Sequence, residues 1–306
     1  MNYKLYLLEF QGGVHFGNGS LDDSEIACMA DTLFSALCHE AVKAGILSQW
    51  YQIVSDRRLI LSDAFPYIGK KYYLPKPILW VDRGDASGNS SMKKKMKNLQ
   101  FIDSDYFEQY FQGNYPEKHL NDMDRLGTFG MKVSAVIRGR EEPLPYRVRY
   151  FSFSENAGLY VIVGYEHMDD LGVFEELLES LSFSGIGGKR SSGFGRFEYC
   201  PAVIPDSMKK RLEHTGTYEM LLSSALPRDE ELDVCLEGAC YELIRRGGFV
   251  SSPVYTANPV RKKDLYVFRA GSCFKHPFMG SVRDVSVNGD RSVYRYACGM
   301  FMGVDI

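Results

Sequence analysis

Positive charge is not in excess in this chain: 36 lysines and arginines face 39 acids, for a net charge of −3 at pH 7. That excludes a global attraction for polyanions, so any polyanion site must be a local basic patch. The seven cysteines are odd in number and form no C-x-x-C pair. Neither a zinc knuckle nor a dithiol redox motif is offered, and a reducing cytoplasm is the expected setting. No stretch of about 18 apolar residues occurs, so no membrane span is expected. The opening Met1-Asn2-Tyr3-Lys4-Leu5 lacks the long apolar run of a signal peptide. No H-E-x-x-H and no cysteine–histidine ligand spacing appears, so no metal and no other cofactor is expected. Tryptophan is scarce, with 2 residues, but 20 Tyr and 19 Phe supply ample aromatic surface. A length of 306 residues is long for one core and comfortable for two.

Two familiar phosphate motifs are also missing. A P-loop needs a glycine five residues before its Gly-Lys pair and a hydroxyl after it. Here Gly188-Lys189 is followed by Arg190, and Phe183 stands where the first glycine should be. The dinucleotide fingerprint fails as well, because Gly185-x-Gly187 is followed by Arg190 in place of the third glycine.

What is present is residues 184–196, S-G-I-G-G-K-R-S-S-G-F-G-R. Gly185, Gly187, Gly188, Gly193 and Gly195 permit positive φ and close backbone approach. Successive N–H groups in such a loop can form a concave anion site. Lys189, Arg190 and Arg196 would add charge, and Ser191 and Ser192 hydrogen bonds. These groups together read as a phosphate cradle; a glycine-rich turn with solvated cations is the plainer alternative.

Residues 3–10 read as a buried strand, followed by a glycine-rich loop that carries His15. Leu33, Phe34, Leu37, Cys38, Ala41 and Val42 then recur at helical spacing, with Asp31 as N-cap and Gly45 as the C′ stop. Short strands are expected at 59–62 and 72–74. Residues 82–100, polar and with lysines at 93, 94, 95 and 97, read as an inserted mobile loop. Residues 125–149 hold Arg125, Lys132, Arg138, Arg140, Arg147 and Arg149 against Glu141 and Glu142, a surplus of four positive charges. Residues 131–137 and 146–153 read as the arms of a hairpin. With Phe129, Tyr146 and Tyr150 it suits a phosphate backbone and unstacked bases; an edge hairpin protected by cations suits it equally.

A strand at 159–165, a helix capped by Asp169 or Asp170, the glycine-rich loop and a strand at 195–203 complete a β-α-β…β-α-β order, which is the ferredoxin-like order. Residues 205–214 read as a polar linker. The pattern then restarts with a strand at 218–226 and an amphipathic helix on Leu232, Cys235, Leu236, Ala239, Cys240, Leu243 and Ile244. Strands are expected at 264–270, 280–287 and 293–298. The expected fold class is α+β: an N-terminal domain over 1–204, with an insertion at about 82–150, and a C-terminal domain over 215–306, both ferredoxin-like (RRM-like) with loop and β-hairpin insertions.

His15 in its glycine loop, the run Asp31-Thr32-Leu33-Phe34-Ser35-Ala36-Leu37 and the loop G-I-G-G-K-R-S-S-G-F-G-R-F resemble the RAMP-superfamily CRISPR proteins. Three tail segments fit too: Arg269-Ala270-Gly271-Ser272-Cys273-Phe274, Gly280-Ser281-Val282 and Tyr294-Arg295-Tyr296-Ala297-Cys298-Gly299. Together they are most similar to the fourth-subunit family of the type III-A (Csm) effector. The resemblance covers both ends and the middle of the chain and leaves out about 82–123. It implies a non-catalytic scaffold that holds the 5′ handle of the crRNA. It also implies docking to the large polymerase-like subunit and to a backbone subunit. Handle contacts would come from His15 and from Gly187, Gly188, Lys189, Arg190, Ser191, Ser192, Gly193, Phe194, Gly195 and Arg196. The hairpin, with Lys132, Arg138, Arg140, Arg147 and Arg149, would act as a thumb against the guide–target duplex.

Two rivals stand beside this reading. A metal-independent RAMP endoribonuclease would use His15 or His39 as general acid/base with Lys189 or Arg190 nearby. A protein-interaction module would use the many aromatics as interface but leave the basic segment unexplained.

Overall fold

The structure, a computed structural model, describes residues 1–17, 19–79, 90–136, 144–250, 260–287 and 292–305. Its first part runs β1 (Asn2–Phe10), α1 (Ala30–Ala44), α2 (Leu47–Ser55), β2 (Leu59–Leu61), β3 (Phe65–Ile68), β4 (Lys71–Pro75), α3 (Ser90–Asn98), β5 (Phe101–Asp103), α4 (Phe107–Phe111), β6 (Gly127–Val136), β7 (Leu144–Phe153), β8 (Ala157–Tyr165), α5 (Met168–Ser184) and β9 (Phe197–Ala202). Seven of these strands form one antiparallel sheet in the order β5-β4-β3-β8-β1-β9, with β2 also on β8. β2 and β3 follow one another along β8, Leu59 opposite Tyr165 and Phe65 opposite Tyr160.

The period of two along each strand explains why β8 is apolar throughout, since both of its faces are covered. Leu159, Val161 and Val163, with Tyr6 and Leu8, face a core built with α1, α2 and α5. Tyr160 and Ile162, with Leu5, face a second core. That core is closed by Met96, Ile102, Phe107 and Tyr110 before the hairpin and by Met208, Met220 and Met302 of the C-terminal half. The two halves of the chain therefore share apolar packing across one face of the sheet.

The C-terminal half runs α6 (Asp206–Glu213), β10 (Tyr218–Leu221), α7 (Leu232–Leu236), β11 (Leu243–Arg246), β12 (Leu265–Phe268), β13 (Cys273–Phe274), β14 (Arg283–Asp284), β15 (Tyr294–Arg295) and β16 (Phe301–Val304). Among the described residues it makes three small sheets, β13-β10-β16, β11-β12 and β14-β15. The helix expected over 232–244 is absent: α7 ends at Leu236, Gly238 takes φ +64, and 243–246 is strand. Cys240 bridges to Cys273 in β fashion, and Leu243 is exposed, so helical spacing of apolar residues here does not mark one buried stripe. The other C-terminal strands are shorter than expected.

Residues 205–214 are mostly helix, and Met208 and Leu212 are buried, so this segment is a packed element rather than a free linker. Part of the expected mobile loop is α3; residues 82–89 of it lie outside the described residues. The hairpin, α5, β9 and the Gly45 cap (φ +74) match expectation. Asp31 does not cap α1, whose N-cap is Met29; the Ala30 N–H instead donates to Asp63 Oδ1 at 2.7 Å. Likewise His167, not Asp169 or Asp170, is the N-cap of α5.

Asp31 serves another purpose. It is buried, and accepts from Arg246 Nε at 3.0 Å and Arg246 NH2 at 2.8 Å on β11, and from Arg295 NH1 at 3.1 Å on β15. Asp63 spans the same junction, since Ser224 N and Oγ each donate to it at 2.8 Å. Arg57, itself at φ +59, reaches the carbonyls of Met279 and Gly299.

Candidate nucleic-acid interface

Three segments meet at the end of the sheet: the His15 loop, the β6–β7 hairpin and residues 185–196. Val14 and Phe151 exchange backbone hydrogen bonds at 2.8 Å, which fixes the hairpin to the first loop. Gly188 N donates to His15 O at 2.8 Å, Gly195 N to Gly13 O at 3.0 Å and Ile186 N to Gly195 O at 2.9 Å, which folds the glycine-rich loop over it. The glycines are required by contact. A Cβ on Gly187, at φ +88, would lie 2.7 Å from His15 O, and one on Gly188 2.6 Å from the His15 ring.

The N–H groups of Gly185, Ile186, Gly188, Ser192, Gly193 and Gly195 are thus committed to backbone acceptors within the protein. The expected anion nest is accordingly not assembled from these six. What the loop offers outward is side chains. Lys189 holds φ +60, and residues 190–192 make a short 3-10 turn that projects Ser191 and Ser192 into solvent.

Lys189 Nζ donates to Tyr146 OH at 3.1 Å and lies 4.4 Å from that ring's centre; the ammonium holds the phenol below its ordinary pKa. Lys132 Nζ lies 5.4 Å from the Phe194 ring, and Tyr150 packs on Phe194 at 5.1 Å. The alternation of β6 and β7 splits the basic hairpin. Lys132, Tyr146 and Tyr150 turn toward the loop, whereas Arg147, Arg149, Phe129, Met131 and Val133 share the other face. On that face Arg149 sits 4.1 Å over Phe129, and Met131 and Val133 are exposed. Arg138 and Arg140 lie outside the described residues.

His15 is buried, and its Nδ1–H donates to Arg149 O at 2.7 Å. It wedges the loop against the hairpin, since Gly17 and Gly188 both close on its ring. His39, on α1, faces the same cleft as His15 and Arg190; burial first, then Arg190 and Lys262, push its pKa down, so the ring is neutral at pH 7.

Two concave basic surfaces flank Arg190. A cleft of about 450 Å³ runs between the glycine-rich loop and the C-terminal half, lined by His15, His39, Arg190, Arg246, Lys262 and Arg295 among others. A shallower depression of about 530 Å³ holds Lys43, Lys189, Arg190, Ser191 and Arg196. Burial and the neighbouring Arg295 push the Lys262 pKa down, as expected where cations outnumber acids. Lys43, Arg246 and Lys262 were not singled out from sequence, and Arg295 entered only within a tail segment, with no site role. The local signals are the runs Arg245-Arg246 and Arg261-Lys262-Lys263; the fold supplies the rest.

Comparison with known proteins follows the same outline. Residues 8–198 match the RAMP superfamily, and residues 214–304 match the CRISPR Csm4 C-terminal domain. The chain is 38% identical to the CRISPR system Cms protein Csm4 of Mycobacterium tuberculosis (strain CDC 1551 / Oshkosh), over 99% of this chain and 98% of that one. It is 33% identical to the Csm4 of Streptococcus thermophilus over 100% of both chains. Similar solved structures include the Csm3–Csm4 subcomplex of the type III-A CRISPR-Cas interference complex, with a TM-score of 0.67, 16% identity and 98% of each chain covered. The Csm1–Csm4 cassette in complex with cA4 gives a TM-score of 0.64 at 18% identity, over 99% of this chain and 98% of that one.

Proposed function

This chain belongs to the RAMP superfamily and, within it, to the Csm4 proteins, and from that premise we propose that it is the non-catalytic subunit that holds the crRNA 5′ handle in a type III-A effector. The observation that carries the proposal is the interlock of the glycine-rich loop with the His15 loop and the hairpin. Lys189, Arg190, Arg196, Ser191 and Ser192 stand outward on that interlock and would take handle phosphates, with Lys43 beside them. Splayed bases would stack near Tyr146, Tyr150 and Phe194. The opposite face of the hairpin, with exposed Met131 and Val133 beside Arg147 and Arg149, would bear on the guide–target duplex. The order β9-β1-β8-β3 supports a ferredoxin-like reading of the N-terminal half, and the small C-terminal sheets a degenerate version of it. Csm1- and Csm3-type subunits, seen with Csm4 in the similar structures, would be the docking partners of this chain, which would act in the cytoplasm.

The nuclease alternative asks a histidine to exchange protons with RNA. His15 serves instead as a buried wedge whose Nδ1–H is held by a carbonyl, which favours the scaffold reading. The test is to incubate purified full-length protein with end-labelled CRISPR repeat RNA without metal and to follow cleavage and gel retardation together. Retardation without cutting is expected. Site-specific cleavage that disappears on His15→Ala or His39→Ala would overturn the scaffold.

A further inference from the structure

A charged cluster before the hairpin takes no part in the RNA reading. Lys71 on β4, Asp103 at the end of β5, and His119 and Asp122 in the turns that follow α4 converge on the far flank of the sheet. Asp103, His119 and Asp122 are all buried, and one ligand atom from each lies within 4.8 Å of the others. Lys71 Nζ stands among them, 3.4 Å from Asp103 Oδ2, 3.1 Å from His119 Nδ1 and 3.4 Å from Asp122 Oδ2. A cation therefore already marks the point on which the three groups are aimed.

That ammonium does not satisfy the cluster. His119 Nδ1 also lies 2.8 Å from Asp122 Oδ2. One ring nitrogen either donates or accepts. If Nδ1 donates to Asp122, its proton faces the ammonium of Lys71. If Nδ1 accepts from Lys71, its lone pair faces a carboxylate oxygen at contact distance. Asp103 Oδ2, in a residue with 0% exposure, is met among the described residues only by the Lys71 ammonium, at an ion-pair distance of 3.4 Å that makes no hydrogen bond, and the buried His119 Nε2 has no hydrogen-bond partner among them.

A divalent ion resolves both conflicts, because nitrogen and oxygen lone pairs can then face one charge. Bonds of about 2.0–2.2 Å from one tetrahedral metal to an imidazole nitrogen and a carboxylate oxygen place those two atoms roughly 3.4 Å apart. The 2.8 Å between His119 Nδ1 and Asp122 Oδ2 needs to open by only about half an ångström to reach that separation. An outer layer is also in place. Tyr73 OH donates to Asp122 Oδ2 at 2.9 Å, Arg125 holds Asp122 Oδ1, and Asp105 N donates to Asp103 Oδ1 at 3.1 Å. The Tyr106 ring lies 4.5 Å from the His119 ring. Such outer contacts orient metal ligands.

We propose that Asp103, His119 and Asp122 form a site for a divalent first-row metal of the zinc type, with the Lys71 ammonium as the built-in cation that it displaces. The Lys71 side chain is 36% exposed, so it can swing into solvent and admit the ion. Two carboxylates and one imidazole suit such a metal and leave a coordination position for water. Bound there, the ion would tie the segment around Asp103 and Asp122 to the sheet edge at β4.

Full-length protein stripped with a chelator should be titrated with ZnCl2 by calorimetry and with CoCl2 by absorption. The account expects one equivalent bound, with cobalt bands in the visible and no thiolate band in the near ultraviolet. Asp103→Asn should weaken binding ~10-fold or more. Lys71→Met, which leaves all three ligands in place, should tighten it by a similar factor. Absence of saturable binding would overturn the proposal, as would a thiolate band or an affinity unchanged by Lys71→Met. That last variant keeps the test decisive should Asp103→Asn fail to fold.

Discussion

Asp31→Asn removes the charge, but little of the shape, from a carboxylate that two guanidinium groups hold across the junction of the halves. Asp31 is 7% exposed, and its partners Arg246 and Arg295 have side chains 15% and 6% exposed. In the variant two largely buried cations face a neutral amide. Removing one partner of a buried ion pair typically costs about 3–5 kcal/mol, because the other charge stays desolvated and unpaired. Arg246 keeps Thr32 Oγ1 at 3.0 Å and Arg295 keeps Gly247 O at 3.0 Å, which places the expectation toward the lower end of that range. For a chain of this size that is a fall of roughly 5 °C in melting temperature. Urea melts of both proteins at neutral pH would measure it. The gap should also narrow in acid. Burial pushes the Asp31 carboxyl up, but Arg246 and then Arg295 more than offset it, so its folded pKa lies below the ordinary value. The stability it brings is present above the unfolded pKa of about 3.9 and is lost as pH falls through the folded one. A loss under about 1 kcal/mol at neutral pH would refute the view that this ion triad joins the two halves.

Asp63 has the opposite sign: burial raises its folded pKa to about 6. Its contribution is whole below the unfolded pKa of about 3.9 and declines as pH rises through the folded value, by on the order of 3 kcal/mol. The stability difference between wild type and Asp63→Asn, followed by melting, should shift by that amount from acid to neutral pH; a constant difference would contradict it. Gly195→Ala places a Cβ against Ile186 O at φ +78, whereas Gly193→Ala at φ +86 meets nothing within 4 Å. Gly193→Ala should cost only the ~1–2 kcal/mol of a left-handed non-glycine residue, and Gly195→Ala clearly more. Equal losses in thermal melts would mean that the loop is not seated as described.

The legible parts of this fold were those whose signals are local. β8 announces itself because both faces are covered, and the glycine-rich loop because its close approach to His15 O leaves no room for a Cβ. Asp31 was misread as a cap, since its partners Arg246 and Arg295 are more than two hundred positions away and nothing nearby in sequence points to them. The apolar spacing over 232–244 misled because Gly238 breaks the helix and Cys240 pairs with Cys273 in a bridge. Lys132 and Arg149 looked like one basic surface until strand alternation put them on opposite faces. The ligand cluster of the far flank has no motif, because Asp103 and Asp122 meet only through the turns between them.

The most direct measurement is the affinity of full-length protein for a 5′-handle RNA as a function of salt, for wild type and for Lys189→Ala combined with Arg190→Ala. Each lost phosphate contact on a single strand reduces the slope of log K against log salt by about 0.7. The account predicts weaker binding and a slope shallower by about 1.4, with unchanged melting temperature. A variant that binds as tightly and with the same slope would contradict the placement of the handle on the glycine-rich loop.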